Sequence, residues 1–376
     1  MLFSSAVWIK IGLSCVIAFA ISFAATPVVK MFAKEVGAID VPTEARRVHD
    51  HPIPRMGGLA IFFGFLLTVI LFADITDQVR GILFGSIIIV VMGAIDDVMN
   101  LNPWIKLGVQ TLAAGVAVAY GLVVHVVTNP AVFTAHQVLF MGYLAVPVTI
   151  LWIVGCTNAV NLIDGLDGLA CGVSVISSMT MLVVALMVAE GNVAIILAAL
   201  TGACIGFLPY NVNPAKLFMG DTGSQLLGYV LATVSVMGMF KYYAVVTFIV
   251  PVLAIAIPLS DTVFAFFRRL FHGQSPFKAD RGHFHHKLLD MGLSQKQAVA
   301  VLYSVSAILG LAAVVLASTG GMLRIVLGVA AFLIAVGVWF FVFRGNHNLH
   351  HIETDEAGNP LPEKAEADAE AKDGQN

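Results

Sequence analysis

Apolar runs of membrane-spanning length recur along almost the whole chain. A helix needs about 20 mostly apolar residues to cross a bilayer, and the predicted spans lie near residues 5–29, 57–73, 81–97, 105–127, 137–155, 168–189, 192–210, 222–238, 243–264, 299–318 and 321–343. Only 11% of the residues are charged, whereas a soluble domain carries about 25%. The sequence therefore predicts an all-α integral membrane protein, a polytopic bundle of about 11 transmembrane helices.

Lysine and arginine residues indicate the orientation of these helices, because cytoplasmic loops are enriched in them. If the N-terminus is outside and the C-terminus is cytoplasmic, all 20 basic residues fall inside except Lys10, Arg80, Lys241 and Arg324. We therefore expect a multi-pass protein of the inner (cytoplasmic) membrane. Residues 8–29 lack the basic n-region and small-residue cleavage site of a removable signal, so they are interpreted as the first span.

The end of the chain has a different composition. Residues 353–376 contain eight acidic and two basic residues and almost no apolar ones, and such segments do not bury enough apolar surface to fold. We predict a membrane-embedded domain over residues 1–345 and a disordered acidic cytoplasmic tail over residues 346–376.

Acidic residues outside the tail fall almost entirely on the predicted cytoplasmic side, apart from Asp74, Asp77 and Glu190. None lies in the middle of a span, where transporters usually place ionisable groups. The pair Asp96 and Asp97 directly follows an apolar run, although an ionised carboxylate in hydrocarbon costs roughly 2.5–3.5 kcal/mol. This distribution favours an enzyme at the inner membrane surface over a transporter, which remains the rival class.

The segment NAVNLIDGLDGLA (158–170) places Asn158, Asn161, Asp164 and Asp167 three residues apart. Each step of three drifts about 60° on an α-helix, so a straight helix would not direct all four to one point. The glycines of this segment indicate that it is partly loop, which lets the backbone approach a ligand. A calcium loop and simple helix capping are the alternatives, although the EF-hand pattern is missing.

The segment FMGDTGSQLLGY (218–229) places Asp221 directly before a predicted span. Asp221 could act only as a helix N-cap. A helix N-terminus with nearby Asp, Thr and Ser can equally hold phosphate and its metal, with Asn211 and Lys216 as a polar approach.

Two basic segments lie on the same side. A histidine-rich segment, SPFKADRGHFHHKLL (275–289), suits an anionic substrate better than zinc, because HxHH supplies no well-spaced fourth ligand. The segment 40–58 is either a linker or a second basic contact, and it carries Arg46, Arg47, His49, His51 and Arg55. Carboxylates and basic residues on one face describe a site for metal-bridged phosphate, since Mg²⁺ binds one or two carboxylates together with substrate phosphate. The surrounding membrane suggests that one phosphate belongs to a lipid.

Four ordered motifs, GAIDDVMNLNP, NAVNLIDGLDGLA, PYNVNPAKLFMGDTGSQLLGY and DRGHFHHKLLDMG, resemble the polyprenyl-phosphate N-acetylhexosamine-1-phosphate transferases (glycosyltransferase family 4, MraY-like) over residues 1–345. Within them, the chain looks like the WecA/TagO branch. One departure is Asn100, where the branch commonly has an aspartate. The resemblance implies transfer of GlcNAc-1-phosphate from UDP-GlcNAc to undecaprenyl phosphate with release of UMP. It also implies Mg²⁺ (or Mn²⁺), a cytoplasm-facing site, a homodimer in the lipid membrane and no nucleic-acid partner.

The resemblance also implies roles for individual residues. Asp96, Asp97 and Asp221 are predicted to be catalytic, with Asp96 deprotonating or orienting the lipid phosphate and with Asp221 and Asp97 as metal ligands. The nucleotide pocket is predicted from Asn161, Asp164, Asp167, Asn211 and Phe218, with Phe218 stacking on uracil. The diphosphate and sugar are predicted to contact Arg281, His283, His285 and His286.

Two questions stay open at this stage. The pentapeptide-transferring relative MraY is the alternative family branch, although HFHH favours the simple amino-sugar branch. The lipid phosphate could attack UDP-GlcNAc directly, or an aspartate could first be phosphorylated. The product would enter a cell-envelope glycan such as teichoic acid or O-antigen, and the sequence does not distinguish these polymers.

Overall fold

The computed structural model describes residues 3–41, 51–128, 138–238, 252–271 and 284–317. The helices in these ranges are α1 (Ser5–Glu35), α2 (Gly58–Phe72), α3 (Asp77–Met99), α4 (Pro103–Ala119), α5 (Ala145–Leu162), α6 (Leu169–Met187), α7 (Gly191–Asn211), α8 (Gly220–Gly238), α9 (Ala256–Phe271), α10 (Phe284–Asp290) and α11 (Gln295–Ala317). Six helical segments in this part of the chain, those containing α1, α3, α5, α6, α7 and α11, are long and apolar enough to cross a membrane; α2 and α4 are shorter apolar helices. The predicted polytopic helical membrane protein is confirmed, whereas the number of spans and their orientation stay predictions.

Two short antiparallel hairpins accompany the helices, β1 (Ile39–Asp40) with β2 (Ile53–Pro54) and β3 (Val126–Thr128) with β4 (Val138–Phe140). The predicted span 137–155 is therefore wrong at its start. Strand β4 and a 3-10 turn at Gly142–Leu144 precede α5, which begins at Ala145 and ends at Leu162. The turn requires Gly142 because its φ of 50° favours glycine.

Helix termini next to the predicted site follow capping rules. Helix α4 begins at Pro103, and the side chain of Asn102 accepts a hydrogen bond from the Trp104 N–H at 2.9 Å. Proline at the first helical position and asparagine at the N-cap both favour such a start. Helix α3 ends at Met99, and its C-cap Asn100 has a left-handed φ of 51°. Asparagine tolerates this conformation better than most residues do.

Helix α8 lies at the centre of the bundle and packs against α2, α3, α5, α6 and α7. Every residue from Thr222 to Gly238 is buried. Its first turn lies very close to α3, because a Cβ atom added to Gly93 would lie 2.6 Å from the backbone nitrogen of Thr222. Glycine at this position lets the ends of α3 and α8 meet, and this contact brings the carboxylates of both helices together.

Several predictions fall outside the described residues. They are the segment with Arg46, Arg47 and His49, the first part of the span 243–264, the span 321–343 and the tail 346–376. The division into a domain over 1–345 and a tail is therefore still a prediction.

Candidate active site

Asp96 and Asp97 at the end of α3 are both buried, with exposed fractions of 4% and 7%. They bind different partners, as adjacent helical residues pointing about 100° apart should. Asp96 Oδ1 accepts a hydrogen bond from the Leu101 N–H at 2.6 Å, and Asp96 Oδ2 forms an ion pair with Lys106 of α4. The free-energy cost of burying the Asp96 carboxylate is offset here by a paired cation and a backbone donor.

Asp97 contacts the first turn of α8. Its oxygens accept hydrogen bonds from the backbone N–H of Asp221 at 2.9 Å, from the N–H of Thr222 at 3.2 Å and from the Thr222 hydroxyl at 2.6 Å. The first N–H groups of a helix have no partner within the helix and attract negative charge. Asp97 therefore acts as a cap supplied by another helix, and these contacts do not favour its predicted role as a metal ligand.

Asp221 is half-buried and is surrounded by donors. Asn161 Nδ2 donates to its Oδ1 at 3.0 Å, while Lys106 Nζ at 2.9 Å and Gln225 Nε2 at 3.0 Å donate to its Oδ2. Asp221 is not the N-cap of α8, because its side chain accepts from other side chains and Asp97 receives the backbone donors. The simple capping alternative is therefore wrong for Asp221.

Lys106 Nζ lies between the carboxylates of Asp96 and Asp221 and forms ion pairs with both. Lys106 was predicted only to be cytoplasmic and was not predicted to belong to the site. Its position could have indicated this role, because the short loop after Asp96 and Asp97 leaves Lys106 at the same end of the bundle. Lys106 provides positive charge among the carboxylates.

A buried amide network extends from Asp221 toward α4 and α5. Gln225 Oε1 accepts from Gln110 Nε2 at 2.8 Å, and Gln110 Oε1 accepts from Asn158 Nδ2 at 2.7 Å. Gln110 and Gln225 are 2% and 0% exposed. Because a buried amide needs partners for both its ends, the network fixes the face that Gln225 presents to Asp221. Neither glutamine was predicted, although Gln110 lies four residues after Lys106 and Gln225 four residues after Asp221, a spacing that places each pair on one helix face.

The segment 158–170 is part helix and part loop, as predicted. Asn158 and Asn161 lie in α5, while Asp164 and Asp167 lie in the loop 163–168, and the four side chains do not share one partner. Asp167 Oδ2 accepts from Asn213 Nδ2 at 2.9 Å and from the Ala215 N–H at 3.0 Å. Burial, with repulsion from Asp221 and Asp97, raises the pKa of Asp164 to about 8.

The connection between α7 and α8 carries two more predicted residues. Asn211 is 2% exposed; its Nδ2 donates to the Leu217 carbonyl at 3.2 Å, and its Oδ1 has no hydrogen-bond partner among the described residues. Phe218 exchanges backbone hydrogen bonds with β2 and the residues after it, donating to the Pro54 carbonyl at 2.8 Å and accepting from the Gly57 N–H at 2.9 Å. Residues 54–57 of the basic segment thus lie against the residues that precede Asp221.

Arg55 in this segment forms an ion pair with Asp40 of β1. Its charge also acts on Asp164, whose pKa it lowers against the larger effect of burial. The described end of the segment is therefore more than a linker, because it brings a guanidinium toward the carboxylates.

The histidine-rich segment is only partly described. Arg281 and His283 lie outside the described residues, and His285 and His286 lie in α10, where their side chains are not described. Their predicted contacts with the diphosphate and sugar stay predictions.

Asp96 and Asp221 provide two neighbouring carboxylates that both contact the Lys106 ammonium, and carboxylate oxygens are a donor set that fits a divalent cation. The described residues contain no group of three or more His, Cys, Asp and Glu side chains that could hold a metal by themselves. Mg²⁺ commonly uses only one or two carboxylates and completes its shell with substrate phosphate and water. The two carboxylates therefore fit a site that the substrate completes.

The described helices of membrane-spanning length surround a cluster of carboxylates, a lysine and buried amides, an arrangement that fits the class of integral membrane enzymes that act on phosphate groups. Residues 79–239 match Glycosyl transferase family 4. The chain is 41% identical over 296 residues to the "Probable undecaprenyl-phosphate N-acetylglucosaminyl 1-phosphate transferase" of Bacillus subtilis, covering 78% of this chain and 81% of that protein. This chain belongs to glycosyl transferase family 4.

Two further relatives illustrate the range of the family. The "Decaprenyl-phosphate N-acetylglucosaminephosphotransferase" of Mycobacterium tuberculosis is 35% identical over 321 residues, 78% of each chain. The "Phospho-N-acetylmuramoyl-pentapeptide-transferase" of Staphylococcus aureus is 32% identical over 281 residues, 69% of this chain and 83% of that protein. The amino-sugar transferases are thus more similar to this chain than the pentapeptide transferase is.

Proposed function

We propose that this protein transfers GlcNAc-1-phosphate from UDP-GlcNAc to undecaprenyl phosphate, giving undecaprenyl-diphosphate-GlcNAc and UMP. The names of the Bacillus and Mycobacterium relatives support the reaction. The observation that carries the proposal is the ion-paired arrangement of Asp96, Lys106 and Asp221 at the ends of α3, α4 and α8. It provides charges that can bind two phosphate-bearing substrates at the end of membrane-spanning helices.

In the proposed reaction, an oxygen of the lipid phosphate attacks the β-phosphorus of UDP-GlcNAc. The bond between that phosphorus and the bridging oxygen breaks, and UMP leaves with the oxygen. Lys106 binds and orients phosphate oxygens, because its ammonium places a positive charge beside the two carboxylates and attracts the negatively charged phosphates. Asp96 holds Lys106 and orients the lipid phosphate, while Asp97 keeps the first turn of α8, and with it Asp221, in place.

A divalent cation, Mg²⁺ (or Mn²⁺), would be held by Asp221 together with Asp96, and it would neutralise the charge of the diphosphate. The contacts of Asp97 with the α8 backbone make it the weaker of the predicted ligands. The remaining catalysis in such a transfer is mostly the positioning of the two phosphates.

The donor pocket would combine the residues around the loop 163–168 with the segment before α8. Asn161, Asp164, Asp167, Asn211 and Phe218 would contact the nucleotide. The buried side-chain oxygen of Asn211 lacks a partner among the described residues. It could therefore accept a hydrogen bond from an N–H group of the nucleotide base. Arg281, His283, His285 and His286 are proposed to contact the diphosphate and sugar.

The site is proposed to face the cytoplasm in the inner membrane, since the predicted positive-inside orientation places the ends of α3 and α5 and the start of α8 on that side. A homodimer and a role in teichoic acid or O-antigen synthesis are part of the same proposal. The pentapeptide donor of the Staphylococcus relative is the second candidate, and its support is the 32% identity.

Purified protein in detergent with undecaprenyl phosphate and labelled UDP-GlcNAc tests this proposal. We expect label to enter an organic-extractable lipid with stoichiometric UMP, to stop on chelation and to resume with added Mg²⁺. Lack of lipid-linked label with UDP-GlcNAc, but transfer from UDP-MurNAc-pentapeptide, would support the second candidate. In a parallel assay with the protein reconstituted into sealed vesicles, uptake of label without a lipid product would support a transporter. UMP release with labelled protein before lipid is added would refute direct attack.

A further inference from the structure

Helix α11 is joined to the predicted donor loop through Asn213, which bonds to the first residue of the helix. Gln295 Oε1 accepts a hydrogen bond from Asn213 Nδ2 at 2.6 Å. The same Nδ2 donates to Asp167 Oδ2 at 2.9 Å. Asn213 therefore uses both hydrogens of its amide to join α11 to the loop 163–168.

Tyr303, about two turns further along α11, makes a second and independent contact with the loop. Its hydroxyl donates to the Gly168 carbonyl at 2.5 Å. Gly168 has a φ of 77°, and its hypothetical Cβ would lie 3.3 Å from the Tyr303 hydroxyl. The tyrosine ring also lies where a Cβ on Gly172 would be. Glycine at both positions lets Tyr303 reach the backbone at the C-terminal end of the loop.

These two contacts lie at the C-terminal end of the loop. At its N-terminal end, the loop follows Asn161, which donates to Asp221 and to Ser224. Between these fixed points lie Asp164 and Asp167, and the Asp167 carboxylate is the acceptor that Asn213 joins to Gln295. The loop conformation therefore depends on α11 as well as on α5.

We propose that Gln295 and Tyr303 are positioning residues that hold the loop 163–168 in the conformation that binds the donor nucleotide. This inference rests on the proposed function for the identity of the donor. Neither residue contacts Asp96, Lys106 or Asp221, so their effect is on donor affinity rather than on the phosphate transfer. Helix α11 follows α10 after only Met291–Ser294, so it also links the histidine-bearing helix to the donor loop.

Steady-state kinetics of Gln295→Ala and Tyr303→Phe test the proposal. Each variant removes one hydrogen bond, and loss of one such bond corresponds to about a tenfold change in an equilibrium. We expect the KM for UDP-GlcNAc to rise about tenfold, with kcat and the KM for undecaprenyl phosphate within about twofold of the wild type.

Gln297→Ala is the matched control, because Gln297 lies in the same first turn and, among the described residues, its side-chain oxygen accepts from the Ser294 N–H at 2.9 Å within the cap of α11 and makes no hydrogen bond to the loop 163–168. We expect this variant to keep the wild-type KM. A purely structural role would lower kcat and raise both KM values together, in the control as well, and that result would overturn the proposal.

Hydrogen exchange on the purified protein gives a readout that does not require turnover. We expect faster exchange of the backbone N–H groups of residues 164–168 in Gln295→Ala and Tyr303→Phe, and no change there in Gln297→Ala. Unchanged exchange in both variants would overturn the inference even if the enzyme is active. An inactive wild type with the expected exchange changes would instead reject the proposed donor and retain the positioning role.

Discussion

Asp97 of α3 accepts a hydrogen bond at 2.9 Å from the backbone N–H of Asp221, the first acidic residue of α8. Two neighbouring carboxylates in the sequence thus have separate tasks. Asp97 fixes the backbone that carries Asp221, whereas Asp96 fixes the lysine that neutralises the Asp221 side chain. The position of Asp221 is therefore determined from both its main chain and its side chain.

Replacing Asp97 should affect stability as well as activity. In Asp97→Asn, one acceptor oxygen becomes an amide that faces N–H donors, and we expect a loss of about 1–3 kcal/mol of stability and a lower kcat. Thermal unfolding in detergent micelles measures the first effect. Asp77→Asn is the control, because Asp77 is an exposed acid paired with Arg80 in the first turn of α3. Equal melting temperatures for the two variants would contradict the capping role.

Replacing Asp96 or Asp221 with asparagine should lower turnover sharply, with a smaller loss of stability than replacing Lys106. Each variant keeps the shape of the side chain and leaves Lys106 paired with the other carboxylate. It removes one negative charge, and we expect kcat to fall by about 10²–10³-fold, as on removal of one electrostatic contact in an active site. Rates of lipid-linked product formation and melting temperatures are measured together. Near-normal rates in either variant would reject the assignment of that residue.

Lys106 should be essential for both stability and activity. In Lys106→Gln, the buried Asp96 loses its cation, and removing one member of a buried pair costs about 3–5 kcal/mol. We expect a clear drop in melting temperature and at least a hundredfold loss of kcat. Lys296→Gln, at an exposed lysine in the first turn of α11, should change neither property. An active Lys106→Gln enzyme would exclude the phosphate-binding role.

Asp164 should make the stability of the ligand-free protein depend on pH. Its folded-state pKa of about 8 lies above an unfolded value of about 3.9, so the folded state binds the proton more tightly. The resulting stabilisation is fully present below pH of about 4 and is lost as the pH rises through about 8. Thermal unfolding from pH 5 to pH 9 measures this decline, which should be weaker in Asp164→Asn. A variant with the full wild-type decline would assign the effect to another group.

The sequence predicted which residues form the carboxylate cluster better than it predicted the contacts that each of them makes. Asp96, Asp97, Asn161 and Asp221 were predicted to meet because orientation places all of them at one end of the bundle, and they do meet. Different partners for Asp96 and Asp97 agree with the angle of about 100° between adjacent side chains of a helix. Which partner each residue binds depends on how α3 is rotated against α8. Pairwise sequence spacing does not contain this rotation.

Residues that act through long-range contacts were the ones that sequence reasoning missed. Lys106, Gln110 and Gln225 lie on mostly apolar helices, and their partners depend on how α4 meets α5 and α8. Asn100 is a different case. It is the C-cap of α3 with a left-handed φ of 51°, a conformation that asparagine accommodates.

The close packing of Gly93 against Thr222 limits how the enzyme can respond to a bulky substrate. Because Gly93 has no side chain that could change its rotamer, side-chain rearrangement at this crossing cannot separate the ends of α3 and α8. We therefore expect the space for the lipid and the sugar nucleotide to depend on the segments that connect the helices. Related enzymes with different substrates should differ in these segments, while the crossing of α3 and α8 stays rigid.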